Sequence, residues 1–176
     1  MSTQPTTAPI LHTERLELRA HRLEDFAHLL ELWTDPQVVR HITGQPLSRQ
    51  EVWSRLLRAP GHWALLGFGY WLAFEQGSGR FVGEVGLGRF KRELLQGQPR
   101  YDALPEAGWV LLPWAQGRGF AREAMTAVLG WRGEHLAGRE TFCLIHPENG
   151  PSLGLAARLG FVPEVEQEDT VVLLRA

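Results

Sequence analysis

Gln116-Gly117-Arg118-Gly119-Phe120-Ala121 has the make-up of an anion site. Glycine lets a backbone adopt left-handed conformations and approach a ligand closely. The residues after it follow a helical pattern, and the first N–H groups of a helix have no partner inside it. A phosphorylated ligand is the guest that this arrangement predicts, and Arg118 and Arg122 add positive charge nearby. Carboxylates offer a second kind of chemistry. Glu84 lies in Phe81-Val82-Gly83-Glu84-Val85-Gly86, and burial among such neighbours predicts a raised pKa and a proton-transfer role. A place on the solvent face of a half-exposed strand is the competing reading. Glu106 opens the apolar segment that leads into the glycine turn.

Two familiar phosphate loops are excluded by the residues themselves. A P-loop requires Gly-x-x-x-x-Gly-Lys-Ser/Thr, and the chain has no such run. A dinucleotide fingerprint starting at Gly117 and Gly119 requires a third glycine where Arg122 stands. It also belongs near the first strand of an alternating β-α-β chain, not late in this one.

The elements that must position these groups follow from hydrophobic spacing. Residues 1–13, rich in Thr and Pro, read as a loose arm. Leu16 and Leu18 alternate with polar neighbours as in a half-buried strand. Phe26, Leu29, Leu30 and Trp33 share a helical face, which Asp35-Pro36 ends. A helical turn at Val38–Ile42 follows. Ser48-Arg49-Gln50-Glu51 is a capping box opening a helix with Val52, Leu56 and Leu57 inward, and Pro60-Gly61 is expected to stop it. Tyr70–Glu75 and Phe81–Leu87 form a hairpin around a Gly-Ser-Gly turn. A polar connection, 88–105, carries Arg89, Lys91, Arg92 and Arg100. Then come a strand at Glu106–Leu112, a long helix at Phe120–Glu134, a strand at Thr141–Ile145 and a helix at Ser152–Leu159. A closing hairpin, Phe161–Val165 and Thr170–Leu174, completes the chain. This order predicts one α/β domain over 1–176, with a mixed, mostly antiparallel sheet and one late crossover.

Composition narrows the function classes. At 176 residues with 44% hydrophobic content the chain can build a substantial core. A net charge of −2 argues against nucleic acid as a partner. No stretch approaches the ~18 apolar residues of a membrane span, and no signal peptide is visible, so a cytoplasmic protein is expected. Cys143 is the single cysteine, which excludes an internal disulfide. The histidines show no metal-ligand spacing with it, so no metal is expected. Trp33, Trp53, Trp63 and Trp71 are read as core aromatics before an aromatic acceptor site.

Gln116, Gly119 and Ala121 fill the defined positions of Gln/Arg-x-x-Gly-x-Gly/Ala, which resembles the acyl-CoA pyrophosphate loop of the GCN5-related N-acetyltransferases (GNAT). The flanking segments resemble one branch of that family, the ribosomal-protein-alanine N-acetyltransferases (RimJ/RimL-like). These are Thr13-Glu14-Arg15-Leu16-Glu17-Leu18-Arg19, Glu106-Ala107-Gly108-Trp109-Val110-Leu111, Gly119-Phe120-Ala121-Arg122-Glu123-Ala124, and Asn149 with Ser152 before Leu159-Gly160-Phe161. The likeness covers nearly the whole chain.

The resemblance implies a twisted sheet whose central parallel strands splay apart, flanked by helices, and an acetyl-CoA-dependent transfer to an amine by direct attack. The acceptor is a protein N-terminus or a small molecule. Transfer of a longer acyl group and non-catalytic acyl-CoA binding are the alternatives. By the same resemblance the backbone of Gln116, Gly117, Arg118, Gly119, Phe120, Ala121 and Arg122 holds the pyrophosphate. Leu111, Leu112, Asn149 and Ser152 meet the pantetheine arm. Glu106 is the first candidate base and Glu84 the second, and Ser152 is a possible general acid. The family tyrosine beyond the asparagine is missing, since Leu155 and Ala156 stand there. Glu123 is expected to be structural. The protein is expected to be a monomer or homodimer.

Overall fold

Alternation in Leu16-Glu17-Leu18-Arg19 buries both leucines completely, and this segment forms a strand of an eight-stranded sheet. The computed structural model describes residues 5–138, 140–167 and 169–176. Its elements are β1 (Leu11–His12), β2 (Leu16–Arg19), α1 (Phe26–Thr34), α2 (Pro36–Val39), α3 (Arg49–Leu66), β3 (Tyr70–Glu75) and β4 (Phe81–Gly88). After these come α4 (Pro99–Ala103), β5 (Glu106–Leu111), α5 (Phe120–His135), β6 (Thr141–Ile145), α6 (Gly150–Arg158), β7 (Val162–Gln167) and β8 (Thr170–Arg175). Among the described residues no helix is long and apolar enough to cross a membrane.

The strand order is β1-β2-β3-β4-β5-β6-β8-β7. Every neighbouring pair is antiparallel except β5–β6, which is parallel. Helices cover both faces. Met125 and Val128 of α5 pack with Trp71, Val85 and Ala107 on one face. Leu29 and Trp33 of α1 and Leu56 of α3 pack with Leu72 and Phe81 on the other. The expected mixed α/β architecture is the one observed.

Several elements depart from the sequence expectation. The arm is anchored from Ala8 onward: Leu11 pairs with Leu18, and the Trp71 indole donates to the Pro9 carbonyl at 2.8 Å. Residues 1–4 lie outside the described residues. The helix opened by Ser48 does have its capping box, but it runs through Pro60 to Leu66. Proline removes one helical hydrogen bond at a cost of about 3 kcal/mol. The extra turn delivers Trp63, which is 2% exposed, into edge-on contact with Trp71 and Trp131 at centroid distances of 4.7 and 5.3 Å. That burial outweighs the missing bond. Gly67, at φ +73°, ends the helix instead. Leu57, expected inward, is exposed, because the buried stripe runs Val52, Leu56, Ala59, Trp63. The 88–105 connection is packed, with Leu95 and Tyr101 against Phe142 and Val172.

Candidate active site

The parallel pair is joined at one point. Among the described residues the β5–β6 ladder consists of Glu106 opposite Phe142, and the strands diverge beyond it. The Leu112 amide donates to the Val82 carbonyl at 2.9 Å, so even-numbered residues of β5 turn their backbone toward β4. By strand alternation Trp109 and Leu111 turn theirs into the gap. Of Leu111 and Leu112, only the former therefore offers backbone to something lying in the gap. Gln116 reaches back so that its side-chain amide donates to the Leu111 carbonyl at 2.9 Å.

At the mouth of this gap lies the glycine turn. Gly117 and Gly119 have φ of +71° and +81°, the left-handed region where a Cβ is disfavoured. Gly119 is the N-cap of α5 and supplies no side-chain cap, so the amides of Phe120, Ala121 and Arg122 are left to an external acceptor. The Phe120 ring is itself buried, so only its backbone belongs to the turn. Arg122 is exposed, and Arg118 stacks over Trp114 and Phe120 with Glu75 3.9 Å away. Arg15 braces the turn from β2's approach. Its guanidinium donates to the Arg118 carbonyl at 3.0 Å, binds Glu123 at 2.7 Å and covers Phe120 at 4.5 Å. Thr13 also donates to Glu123, at 2.6 Å. Glu123 is thus a structural tether, as expected.

A polar row crosses the opposite face of the same strands. Glu84 pairs with Val110, Gly86 with Gly108, and Gly88 with Glu106, so both candidate carboxylates share that face. Tyr70, opposite Gly86, lies across both glycines. A Cβ on Gly108 would stand 2.1 Å from the Tyr70 hydroxyl, and one on Gly86 would stand 3.0 Å from its Cγ. The tyrosine hydroxyl therefore sits between the rows that carry Glu84 and Glu106.

Each carboxylate has a built surround. Glu106 accepts from the Arg92 guanidinium through both oxygens, at 3.0 and 2.6 Å, and is 5% exposed. Glu84 is 6% exposed, accepts from the Trp33 indole at 3.1 Å and meets His21 Nε2 at 2.8 Å. The expectation of a raised Glu84 pKa is overturned. Burial does push it up, but the His21 contact, the charge of Arg55 and the Trp33 N–H hold it below the ordinary carboxylate range. The Tyr70 hydroxyl is pushed up by burial and by Glu106 and Glu84, so it stays protonated at neutral pH.

Asn149 caps α6, its side-chain oxygen accepting from the Ser152 amide at 3.2 Å. The Ser152 hydroxyl accepts from the Trp109 indole at 3.3 Å, which ties α6 to β5 across the gap. Cys143 is buried in β6 with its thiol pushed up by burial, so it is core and not a thiolate nucleophile. His41, His146 and Glu148 bring ligand-type atoms within 4.8 Å of one another. Histidine–cysteine spacing had no means of finding this trio, which is assembled from the turn after α2 and the end of β6.

Sequence spacing gives no sign that His21, Arg55 and Tyr70 join this region, and it offers Trp33 only as one of four tryptophans and Arg92 only as part of a polar connection. Mid-strand glycines at 86 and 108 were the one available signal, since such residues mark a close approach.

Comparison with known proteins decides the family. A family model described as "Acetyltransferase (GNAT) domain" matches residues 15–162. The chain belongs to the GNAT acetyltransferase family. It is 26% identical over 155 residues to an uncharacterized N-acetyltransferase p20 of Bacillus licheniformis, covering 88% of this chain and 83% of that one. A solved GNAT-family acetyltransferase of Bordetella pertussis, described as putative, superimposes with a TM-score of 0.81 at 30% identity, covering 96% and 100% of the two chains. RimL, the ribosomal L7/L12 α-N-protein acetyltransferase, solved in complex with coenzyme A, shares the fold with a TM-score of 0.74 at 16% identity, covering 95% and 97%. The GNAT domain here is accordingly an acetyltransferase enzyme.

Proposed function

We propose that this GNAT domain transfers the acetyl group of acetyl-CoA to a primary amine in a ternary complex. The observation that carries the reading is the coincidence of an uncapped α5 N-terminus, two left-handed glycines and a diverging β5–β6 pair in one place. Free amides at a helix start fit a pyrophosphate, and the unpaired strand edge fits an amide-bearing arm. Acetyl-CoA, when bound, supplies the thioester. The amides of Gly117 to Arg122 hold its phosphates, the Trp109 and Leu111 backbone orients the arm, and Asn149 and Ser152 close the β6 side. An N–H from β5 toward the thioester oxygen is a fixed dipole that favours charge developing there.

The amine nitrogen forms a bond to the acetyl carbon, the carbon–sulfur bond breaks, and one amine proton leaves. Freeing a lysine-type amine at neutral pH costs ~4–5 kcal/mol, and an α-amine only ~1 kcal/mol. Glu106, held in place by Arg92, is assigned as the proton acceptor, with Glu84 second. No strong acid is required for the departing thiolate, whose ordinary pKa is only about 8.5. The Ser152 hydroxyl is assigned as the donor to it.

The test is thiol release from acetyl-CoA with a panel of amino acids, peptides and small amines, run with chelator present. Turnover above hydrolysis with at least one amine is expected. Calorimetric CoA binding without turnover of any amine would instead mark a non-catalytic acyl-CoA binder, and preference for a longer acyl-CoA would change the donor. Arg15→Ala is expected to raise the acetyl-CoA KM roughly ten-fold, because the turn loses its charged brace. An unchanged KM would remove Arg15 from the support of that loop.

A further inference from the structure

A groove of about 580 Å³ opens along the first half of α3, lined by Ser48, Gln50, Glu51, Ser54, Arg55 and Arg58, with Leu47 at its end. Its two arginines differ from Arg92 and Arg89, the arginines that follow β4. Arg92 is taken by Glu106, and Arg89 donates to the Ala103 carbonyl at 2.7 Å. Among the described residues Arg55 and Arg58 have neither an ion pair nor a hydrogen bond. Arg55 lies flat over the Trp33 indole at 3.8 Å, and Arg58 sits over Phe90 at 5.2 Å. Ring contacts of that kind occupy a guanidinium face and leave its in-plane N–H groups free.

Burial works against the Arg55 charge, and Arg58 and Arg92 add repulsion. Glu84 is the carboxylate that favours it, yet both Glu84 oxygens are already engaged by His21 and Trp33. Glu51 on the groove wall is exposed and turned to its own cap, accepting from the Ser48 amide at 2.7 Å. Arg55 is thus attracted by Glu84 at a distance but has no hydrogen-bonding partner among the described residues, and a ligand that bonded its N–H groups would offset its desolvation. The planar fork of an arginine matches a carboxylate through two parallel hydrogen bonds.

Arg55, on the groove wall, is linked to the reacting strands by a chain of packed side chains, and Tyr70 and Glu84 of those strands both act on its charge. Arg55 stacks on Trp33, Trp33 donates to Glu84, and Glu84 lies opposite Val110 on β5, beside the Trp109 and Leu111 backbone that faces the gap. We propose that the acceptor is an amine that also carries a carboxylate, received by Arg55 and Arg58 while its amine is presented at β5. This rests on the acetyltransferase reading above and narrows its acceptor. A polyamine, whose charges are all positive, would meet arginines in that groove and is disfavoured.

The experiment compares kcat/KM for matched acceptors: free amino acids, the same amino acids as C-terminal amides, peptides beginning with an acidic second residue, and spermidine. Carboxylate-bearing acceptors are expected to exceed their amides by about ten-fold or more, mainly through KM. Free amino acids leading the acidic peptides would place the carboxylate on a small molecule, and the reverse order would place it on a protein N-terminus. Arg55→Gln is expected to collapse the acid-over-amide ratio toward one with CoA affinity unchanged, and Arg55→Lys to restore part of it. Calorimetry with an N-acetylamino acid and its amide reads the same anion site without turnover. Loss of the preferred binding in Arg55→Gln supports the site even if no amine is acetylated, which would count against the catalytic reading alone. Equal kcat/KM for acids and amides, or a spermidine preference, overturns the proposal while leaving the acetyltransferase reading intact. Equal binding of acid and amide overturns it in the absence of turnover.

Discussion

Gly119→Val is expected to raise the CoA dissociation constant at least ~100-fold, which is ~3 kcal/mol of binding energy. Gly119 sits at φ +81°, where a side chain costs about 1–2 kcal/mol and a β-branched one more. A Cβ there also stands 3.3 Å from the Arg15 guanidinium, the group that braces the turn. Relief of both strains rotates the peptide planes that aim the first amides of α5, so the binding loss exceeds the stability loss. A fall in Tm of roughly 4–8 °C is expected for ~2 kcal/mol of strain in a domain of this size. Calorimetry for CoA beside a thermal melt separates the two effects. Ordinary CoA affinity in a folded Gly119→Val protein would falsify the assignment of this loop to the pyrophosphate.

Glu106→Gln is the second large effect. The amide is isosteric but takes no proton, and kcat is expected to fall about 10²- to 10³-fold with lysine-type amines while CoA binding is kept. With α-amines the fall is expected to be about ten-fold smaller, since those amines need less help to lose a proton. Glutamine also leaves Arg92 with one oxygen where it had two, so a purely structural role would show as lost stability shared by all acceptors. The dependence on amine type is therefore the informative readout. An equal fall for both amine types would make Glu106 a support for Arg92, and unchanged turnover would pass the proton to Glu84.

Glu84 shows why the neighbours of a group decide its chemistry. Its strand context is apolar, which alone predicts a carboxyl that keeps its proton. Its partners come from three other segments, His21 before α1, Trp33 on α1 and Arg55 on α3, and together they hold it ionised. Sequence spacing carries no trace of such contacts, because Coulomb and hydrogen-bond energies depend on separation in space. The His41–His146–Glu148 trio and the place of Arg55 over Trp33 are hidden for the same reason.

Proline 60 makes the parallel point for packing. Local propensity places a helix end there, and an edge-on tryptophan contact between distant segments overrides it. Leu57 and Leu56 differ by one residue and are 51% and 2% exposed, a choice made by which stripe of α3 meets the sheet.

By itself the sequence determined what is contiguous: the Ser48 capping box, the strand–glycine–helix run from Glu106 to Ala121, the Asn149 turn, and through them the family. Those features depend on backbone conformations that a few adjacent residues dictate. Tertiary structure alone decided the partners: Arg15 on the glycine turn, Arg92 on Glu106, Tyr70 across Gly86 and Gly108, and, on α3, Arg55 and Arg58 with no ion pair among the described residues. A turn is specified by its own residues, whereas the charge state and accessibility of a side chain are set by whatever the fold brings against it.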